Sequence, residues 1–401
     1  MKKLLSLVMM LAMVLGLAAC GGDQPANNDD QQTGNVVKIG VFEPYSGENG
    51  PGGKQEALGM KYAHSLKPTV DIAGVTYDVE LVEVDNQSDT TKAVTAAQSL
   101  VSSEVSVILG SYGSGISIAA GETFKTAQIP AIGVSCTNPQ VTLGNDYYFR
   151  ICFLDPFQGT VMANFAKEEM QADTAYVITQ LGDDYSSGLG AYFTKAFEEL
   201  GGTVLTAEFQ TGETDFNAIM TNVLNSDADV IFVPSSIQTA PLVIMQARQM
   251  GITMPILATD TWENESIITN AGQYATDVYL STFFDENDTE NPAAAEFVPG
   301  FKAWLNADKQ NLTDNGGSDG VAAVSALGFD AYNMAIAALE AAASPAGADV
   351  QAVLPGIAID GVTGSISFNE DGDANKGMAY VKTINVETAA FDFLKTQAVG
   401  E

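Results

Sequence analysis

From Val105 to Pro139 the chain reads VSVILGSYGSGISIAAGETFKTAQIPAIGVSCTNP. An apolar run stops at Gly110 and opens a loop of small residues, Ser111 to Gly115. A stretch of helical period follows, then a second apolar run, Ile129 to Val134, which ends in Ser135-Cys136-Thr137. Strand, Gly/Ser turn, helix and strand in that order make the βαβ unit of a parallel sheet. In open α/β sheets ligands gather beyond the carboxyl ends of the strands, and both polar turns belong at that edge. The first turn places Gly113 and Ser114 at the start of a helix. Free N–H groups and the macrodipole there hold an anion without any basic side chain. The two turns therefore read as a site for a small carboxylate.

The rest of the sequence sets the context of that unit. At 401 residues the chain has room for two domains, and 46% hydrophobic with 17% charged residues fits a packed globular protein. Fifty acidic residues against 17 basic ones argue against nucleic acid or an anionic membrane surface as a partner, since both demand a basic face. The N-terminus is more specific. Met1-Lys2-Lys3 precedes an apolar run from Leu4 to Leu17, too short to span a bilayer, and Leu17-Ala18-Ala19-Cys20 follows. Residues 1–20 read as a secretory signal, and LAAC resembles the bacterial lipobox, which makes Cys20 the lipidated first residue and a lipid anchor at the membrane surface. Residues 21–35, GGDQPANNDDQQTGN, suit a flexible tether. Cys136 and Cys152 are left open between a disulfide and two buried thiols. No Cys/His cluster points to a metal, no cofactor is implied, and the single histidine, His64, lies in a helical pattern without a catalytic motif around it.

From Val36 onward strands and helices alternate. Strands are expected at 37–42, 77–84, 105–109, 129–134 and 146–153, with a Gly-rich turn through Gly53 and helices at 54–66 and 90–102. The alternation restarts near Phe157, with strands at 174–179, 204–209, 230–233, 256–258 and 278–284. Helices near 292–307, 320–342 and 348–355 and strands at 364–368 and 378–385 close the chain. The expected fold class is α/β: two doubly wound Rossmann-like lobes, joined by several crossovers, with a ligand cleft between them. The first lobe is expected to take 36–155 plus 283–377, and the second 156–282 plus 378–401.

Several segments carry a family resemblance: KIGVFEPYSG (38–47), VEVDNQSD (82–89), ILGSYGSG (108–115), IGVSCTNP (132–139), YYFRI (147–151), GDDYSSG (182–188) and GSISFNEDGD (364–373). In this order the chain resembles a type I periplasmic binding protein, the leucine/isoleucine/valine-type component of ABC importers, from Val37 to about Val386. The resemblance implies a small amino acid as ligand, and an ABC permease with its ATPase subunits as partner. It implies that Ser114, Ser135 and Thr137 bind the ligand carboxylate, beside Gly113. Asp260 matches the acid that accepts the ammonium, where close relatives carry Glu, and Tyr185 the tyrosine that closes over the ligand.

The chain also departs from the family pattern. Gly50-Pro51-Gly52-Gly53 replaces an aromatic residue, Ser235-Ser236 stands where a tyrosine is expected, and the loop disulfide of some relatives is absent. Ser236 therefore joins the candidate contacts, with Trp262 and Phe157 to refill the pocket. Binding outside the cytoplasm, without catalysis, is the expected function. The alternatives are a sensor for a separate receptor, or a ligand such as urea, a short amide, an aromatic acid or a short peptide. A ligand lacking an ammonium would leave the charge of Asp260 unpaired.

Overall fold

The structure, a computed structural model, describes residues 34–287 and 291–398. The expected signal segment, Cys20 and nearly all of the tether lie outside the described residues. From Asn35 onward the chain forms one unit.

The apolar runs become strands; most are buried on both faces, while those at Thr69–Ile72 and Val75–Asp85 keep exposed positions. They are β1 (Asn35–Glu43), β2 (Thr69–Ile72), β3 (Val75–Asp85), β4 (Val107–Leu109), β5 (Ala131–Gly133) and β6 (Tyr148–Arg150). Helices α1 (Gly50–Leu66), α2 (Thr90–Ser102) and α3 (Ser114–Ala127) connect them. The sheet order is β2-β3-β1-β4-β5-β6, parallel except for the antiparallel edge strand β2. Strand order reverses at β1, which lies between β3 and β4. A crevice opens at such a switch point.

A second sheet repeats the plan. It is built from β7 (Thr174–Leu181), β8 (Thr203–Gln210), β9 (Val230–Phe232), β10 (Ile256–Ala258) and β11 (Val278–Thr282). Between them run α4 (Asp155–Glu168), which leads in, then α5 (Asp184–Glu199), α6 (Asn217–Leu224), α7 (Ala240–Gln249) and α8 (Glu265–Ala271). The chain next forms α9 (Pro292–Ala307), α10 (Lys309–Asp314), α11 (Ala323–Ala341) and α12 (Gly347–Val353), then the small ribbon β12 (Ala358–Gly361) and β13 (Gly364–Ser367). It finishes as a hairpin, β14 (Met378–Asn385) and β15 (Ala390–Ala398), on the edge of the second sheet. The second order is β15-β14-β11-β10-β9-β7-β8.

Two glycines decide where the returning helices sit. A Cβ at Gly59 would lie 1.9 Å from Ser325 O, and one at Gly328 would lie 2.2 Å from Glu56 O, so α1 and α11 cross at backbone contact. Tyr62, Phe297, Phe301, Trp304 and Phe329 pack around that crossing and tie α9 to the first lobe. Buried ion pairs hold the connections between lobes. Arg150, at the end of β6, donates to Asp373 Oδ1 at 2.5 Å and to the carbonyls of Cys136 and Asn138. Lys382 on β14 reaches Glu263 at 2.5 Å and Asp285 at 3.1 Å. Each buried base meets at least one acid where it is buried; removing one partner would strand the other.

The sequence reading needs correction in several places. Gly50 to Gly53 is the first turn of α1, not a loop, because Pro51 has the φ of a first helical turn. Strands β2, β12 and β15 and helix α10 were not anticipated; they are short or lie at edges, where the apolar period is weak. Cys136 and Cys152 are both buried free thiols. Among the described residues no helix is long and apolar enough to cross a membrane.

Candidate ligand-binding cleft

The carboxyl ends of the two sheets face each other, and hydrogen bonds already cross the seam. Gln238 N donates to Glu48 O, Ile237 N to Asn49 Oδ1 and Asn138 Nδ2 to Asp184 O. Asn264 Nδ2 donates to Gln55 Oε1. The lobes therefore stand closed. Between them lies a cavity with about 70 Å³ open to the centre of a water molecule. One water needs about 10–15 Å³ by that measure, so the space suits a molecule the size of one amino acid.

The first lobe supplies the turns after β1, β3, β4 and β5. The second supplies those after β7, β9 and β10. Ser114 is the first residue of α3, with Gly113 as its N-cap. Its Oγ accepts from Asn138 N at 3.2 Å, which joins the two polar turns and leaves the hydroxyl proton to donate. The helix N-terminus and this hydroxyl put free donors and positive polarity at this end of the cavity, the chemistry that suits an anion.

Asp260 follows β10 and is only 2% exposed. Its Oδ1 accepts from Tyr185 OH at 2.8 Å and from Gln158 Nε2 at 2.8 Å, while Oδ2 takes no hydrogen bond among the described residues. Burial pushes its pKa up to about 6, against the pull of those two donors. An aspartate so placed lacks only a cation. Tyr185 OH also meets Thr259 Oγ1 at 2.6 Å, so the ring is fixed against the floor of the second lobe.

Behind Ser135 lies a feature the sequence did not announce. Glu56, from α1, accepts the Ser135 hydroxyl, and Glu43, from the end of β1, accepts Tyr112 N at 2.9 Å. The two buried carboxyl groups face each other with Glu43 Oε1 and Glu56 Oε2 otherwise unpartnered. Two acceptor-only oxygens in contact need a proton between them. Burial, then the Glu56 charge, push the Glu43 pKa well above the usual carboxylate range. Ser135 thus reaches the cavity with its own proton already committed.

Six of the eight candidate residues line the one cavity: Gly113, Ser114, Ser135, Tyr185, Ser236 and Asp260. Two do not. Thr137 is wholly buried, its hydroxyl unpartnered, under the turn that holds Asp155. Trp262 is also wholly buried, its indole N–H donating to Ser235 O and Oγ, so it braces the turn after β9 and does not refill the pocket. Phe157 packs tilted against Phe153, ring centroids 5.5 Å apart, outside the cavity lining. The aromatic wall is Tyr112 instead. A Cβ at Gly52 would lie 2.4 Å from its ring, so the Gly run in α1 makes room for it, and its hydroxyl donates to Thr261 O at 3.3 Å across the seam. Sequence reasoning missed Tyr112, Glu48 and Gln180. The one available signal was the missing aromatic, which says that another ring fills the space but not which.

The sequence of this chain matches the model of the periplasmic binding protein family over residues 36–387. The chain belongs to that family. An amino acid binding protein of Pseudomonas aeruginosa is 31% identical over 251 residues, 61% of this chain and 66% of that protein. A leucine binding protein from Thermotoga maritima has a similar structure, with a TM-score of 0.82 and 32% identity over 90% of this chain and 98% of that one. A branched-chain amino acid transporter substrate binding protein from Streptococcus pneumoniae, solved with isoleucine, gives 0.80 and 27% over 91% and 99%.

Proposed function

We propose that this chain is the extracytoplasmic solute-binding protein of an ABC importer, which captures a small amino acid by lobe closure and delivers it to a membrane permease. The observation that carries the reading is the pairing of ends in one closed cavity. The α3 N-terminus with Ser114 is built for a carboxylate, and Asp260 with Tyr185 for an ammonium. Charge-assisted hydrogen bonds of that kind offset the desolvation of a zwitterion. Family membership supports binding over catalysis and a place outside the cytoplasm. Cys20 would then anchor the chain by lipid. The lobes would be 36–155 with 283–377 and 156–282 with 378–401, hinged where the three connections pass. The ligand would draw the population toward the closed form.

Thermal denaturation of the purified protein against amino acids, urea, short amides, aromatic acids and dipeptides tests this. Ligand at a hundredfold excess over its Kd stabilises the fold by about 2.7 kcal/mol. A shift with amino acids, lost in Asp260→Ala, is expected. A shift with ligands lacking an ammonium, and none with amino acids, refutes the zwitterion site.

A further inference from the structure

The cavity that would hold the amino acid is short of apolar surface. Its aliphatic walls are Pro44 and Ile116, with the rings of Tyr112 and Tyr185; polar side chains make up most of the rest. No lysine, arginine or histidine lines it, whereas three acids do: Asp260, Glu48 and Asp183. A branched aliphatic side chain would press apolar atoms against carboxylates and desolvate them without giving a partner.

The acids fall in two places. Asp260 follows β10, and Ser135 on the facing lobe follows β5. Glu48 follows β1, two strands from β5 in the first sheet, and Asp183 follows β7, two strands from β10 in the second. With neighbouring strands about 4.8 Å apart, the second acidic place lies about 10 Å from the first. Glu48 and Asp183 line the cavity there from opposite lobes, with Gln180 between them: Gln180 Nε2 donates to Glu48 Oε2 at 3.3 Å, and Asp183 N donates to Gln180 O at 3.3 Å. Burial, and the nearby charges of Asp184 and Glu48, push the Asp183 pKa up to about 6. Lobe closure thus brings two carboxylates of like charge together with no base to neutralise them. A cation between them turns that repulsion into attraction, and only in the closed form.

Building on the amino-acid reading above, we propose that the ligand is an amino acid whose side chain ends in a positive charge, held between Glu48 and Asp183. Its α-ammonium meets Asp260, and its methylene stem lies along the Tyr112 ring, as such stems do on apolar surface. The span between the acidic places matches a side chain of ornithine, lysine or arginine length. Closure is then selective: the ligand links the lobes at both ends.

Calorimetry on the purified protein tests this with charge-matched pairs, lysine against norleucine and arginine against citrulline, beside leucine, isoleucine and valine. The expected result is at least a hundredfold tighter binding of a cationic member than of its neutral counterpart. Glu48→Gln and Asp183→Asn should each weaken the cationic ligand about tenfold or more, and by a much larger factor than the neutral one. Asn at 183 still caps α5, where Asp183 Oδ1 now accepts Ser186 N, so the fold is kept. Leucine, isoleucine or valine binding as tightly as every cationic amino acid overturns the proposal and leaves the amino-acid reading standing. Equal affinity for citrulline and arginine, with lysine no better than norleucine, does the same. Binding of no amino acid at all overturns both.

Discussion

Asp155 opens α4 with both carboxyl oxygens buried and no hydrogen-bond partner. The Thr137 hydroxyl lies close enough to temper its proton affinity without standing in bonding geometry, and burial still pushes the pKa up to about 8. An aspartate in the unfolded chain titrates near ~3.9. With the folded pKa above the unfolded one, the native state keeps a proton that the unfolded chain releases. The resulting stabilisation is complete below about pH 4 and is lost as pH rises toward 8. Each unit in that window removes about 1.4 kcal/mol, so from pH 5 to 7 Asp155 alone withdraws about 3 kcal/mol. Asp260, raised to about 6, withdraws roughly 1 kcal/mol more between pH 5 and 6. Half-buried Glu265 and buried Asp330, raised to about 7 and about 6, act in the same direction. The acids held low, such as Asp85 and Asp146, act below about pH 4, outside the window.

The ligand-free protein should therefore be several kcal/mol weaker at pH 7 than at pH 5, out of a total of about 5–15 kcal/mol for an ordinary domain. Urea denaturation followed by circular dichroism at pH 5, 6 and 7 measures this. Asp155→Asn, which cannot ionise, should match the parent near pH 5 and exceed it by about 3 kcal/mol at pH 7. Stability that holds or rises from pH 5 to 7 would refute the reasoning, as would an Asn variant that keeps the whole slope.

Three further outcomes are expected. Amino-acid affinity should fall about tenfold per unit below pH 6, because protonated Asp260 no longer attracts an ammonium, and Asp260→Asn should cost a hundredfold at pH 7; calorimetry at both values checks this. Gly328→Ala drives a Cβ into the α1 backbone beside Glu56 and should destabilise by about 1–3 kcal/mol, read from the urea midpoint. Gly52→Ala should displace the Tyr112 ring and weaken ligand binding, and adding Tyr112→Ala should relieve the strain; a double-mutant cycle on the urea midpoint shows coupling if the contact is real, and additive effects would discount it.

Much of the scaffold was legible because it is local. The apolar runs at Val107–Leu109 and Ala131–Gly133 and the small residues after each were enough to place Ser114 and Ser135 at strand ends, and both line the cavity. Thr137, two residues past Ser135, was matched with it through the family resemblance, yet it turns inward beneath Asp155. A turn's composition does not tell which of its residues face a cleft. Trp262 failed for a related reason: its partner, Ser235, comes from a different strand end, and only the order β10-β9 brings them together.

By itself the sequence determined the alternation of strands and helices, the two-lobed α/β class and the edge of each sheet at which the cavity lies. These follow from periodicity and turn chemistry, which act within a dozen residues. Tertiary structure alone decided that Glu43 and Glu56 share a buried site with Ser135, that the Tyr112 ring fills the space above Gly52, and that Glu48 and Asp183 line one cavity from opposite lobes. Each of these joins residues on different strand ends or different lobes. Sheet order and lobe closure bring them together, and neither leaves a mark on the local pattern of any one segment.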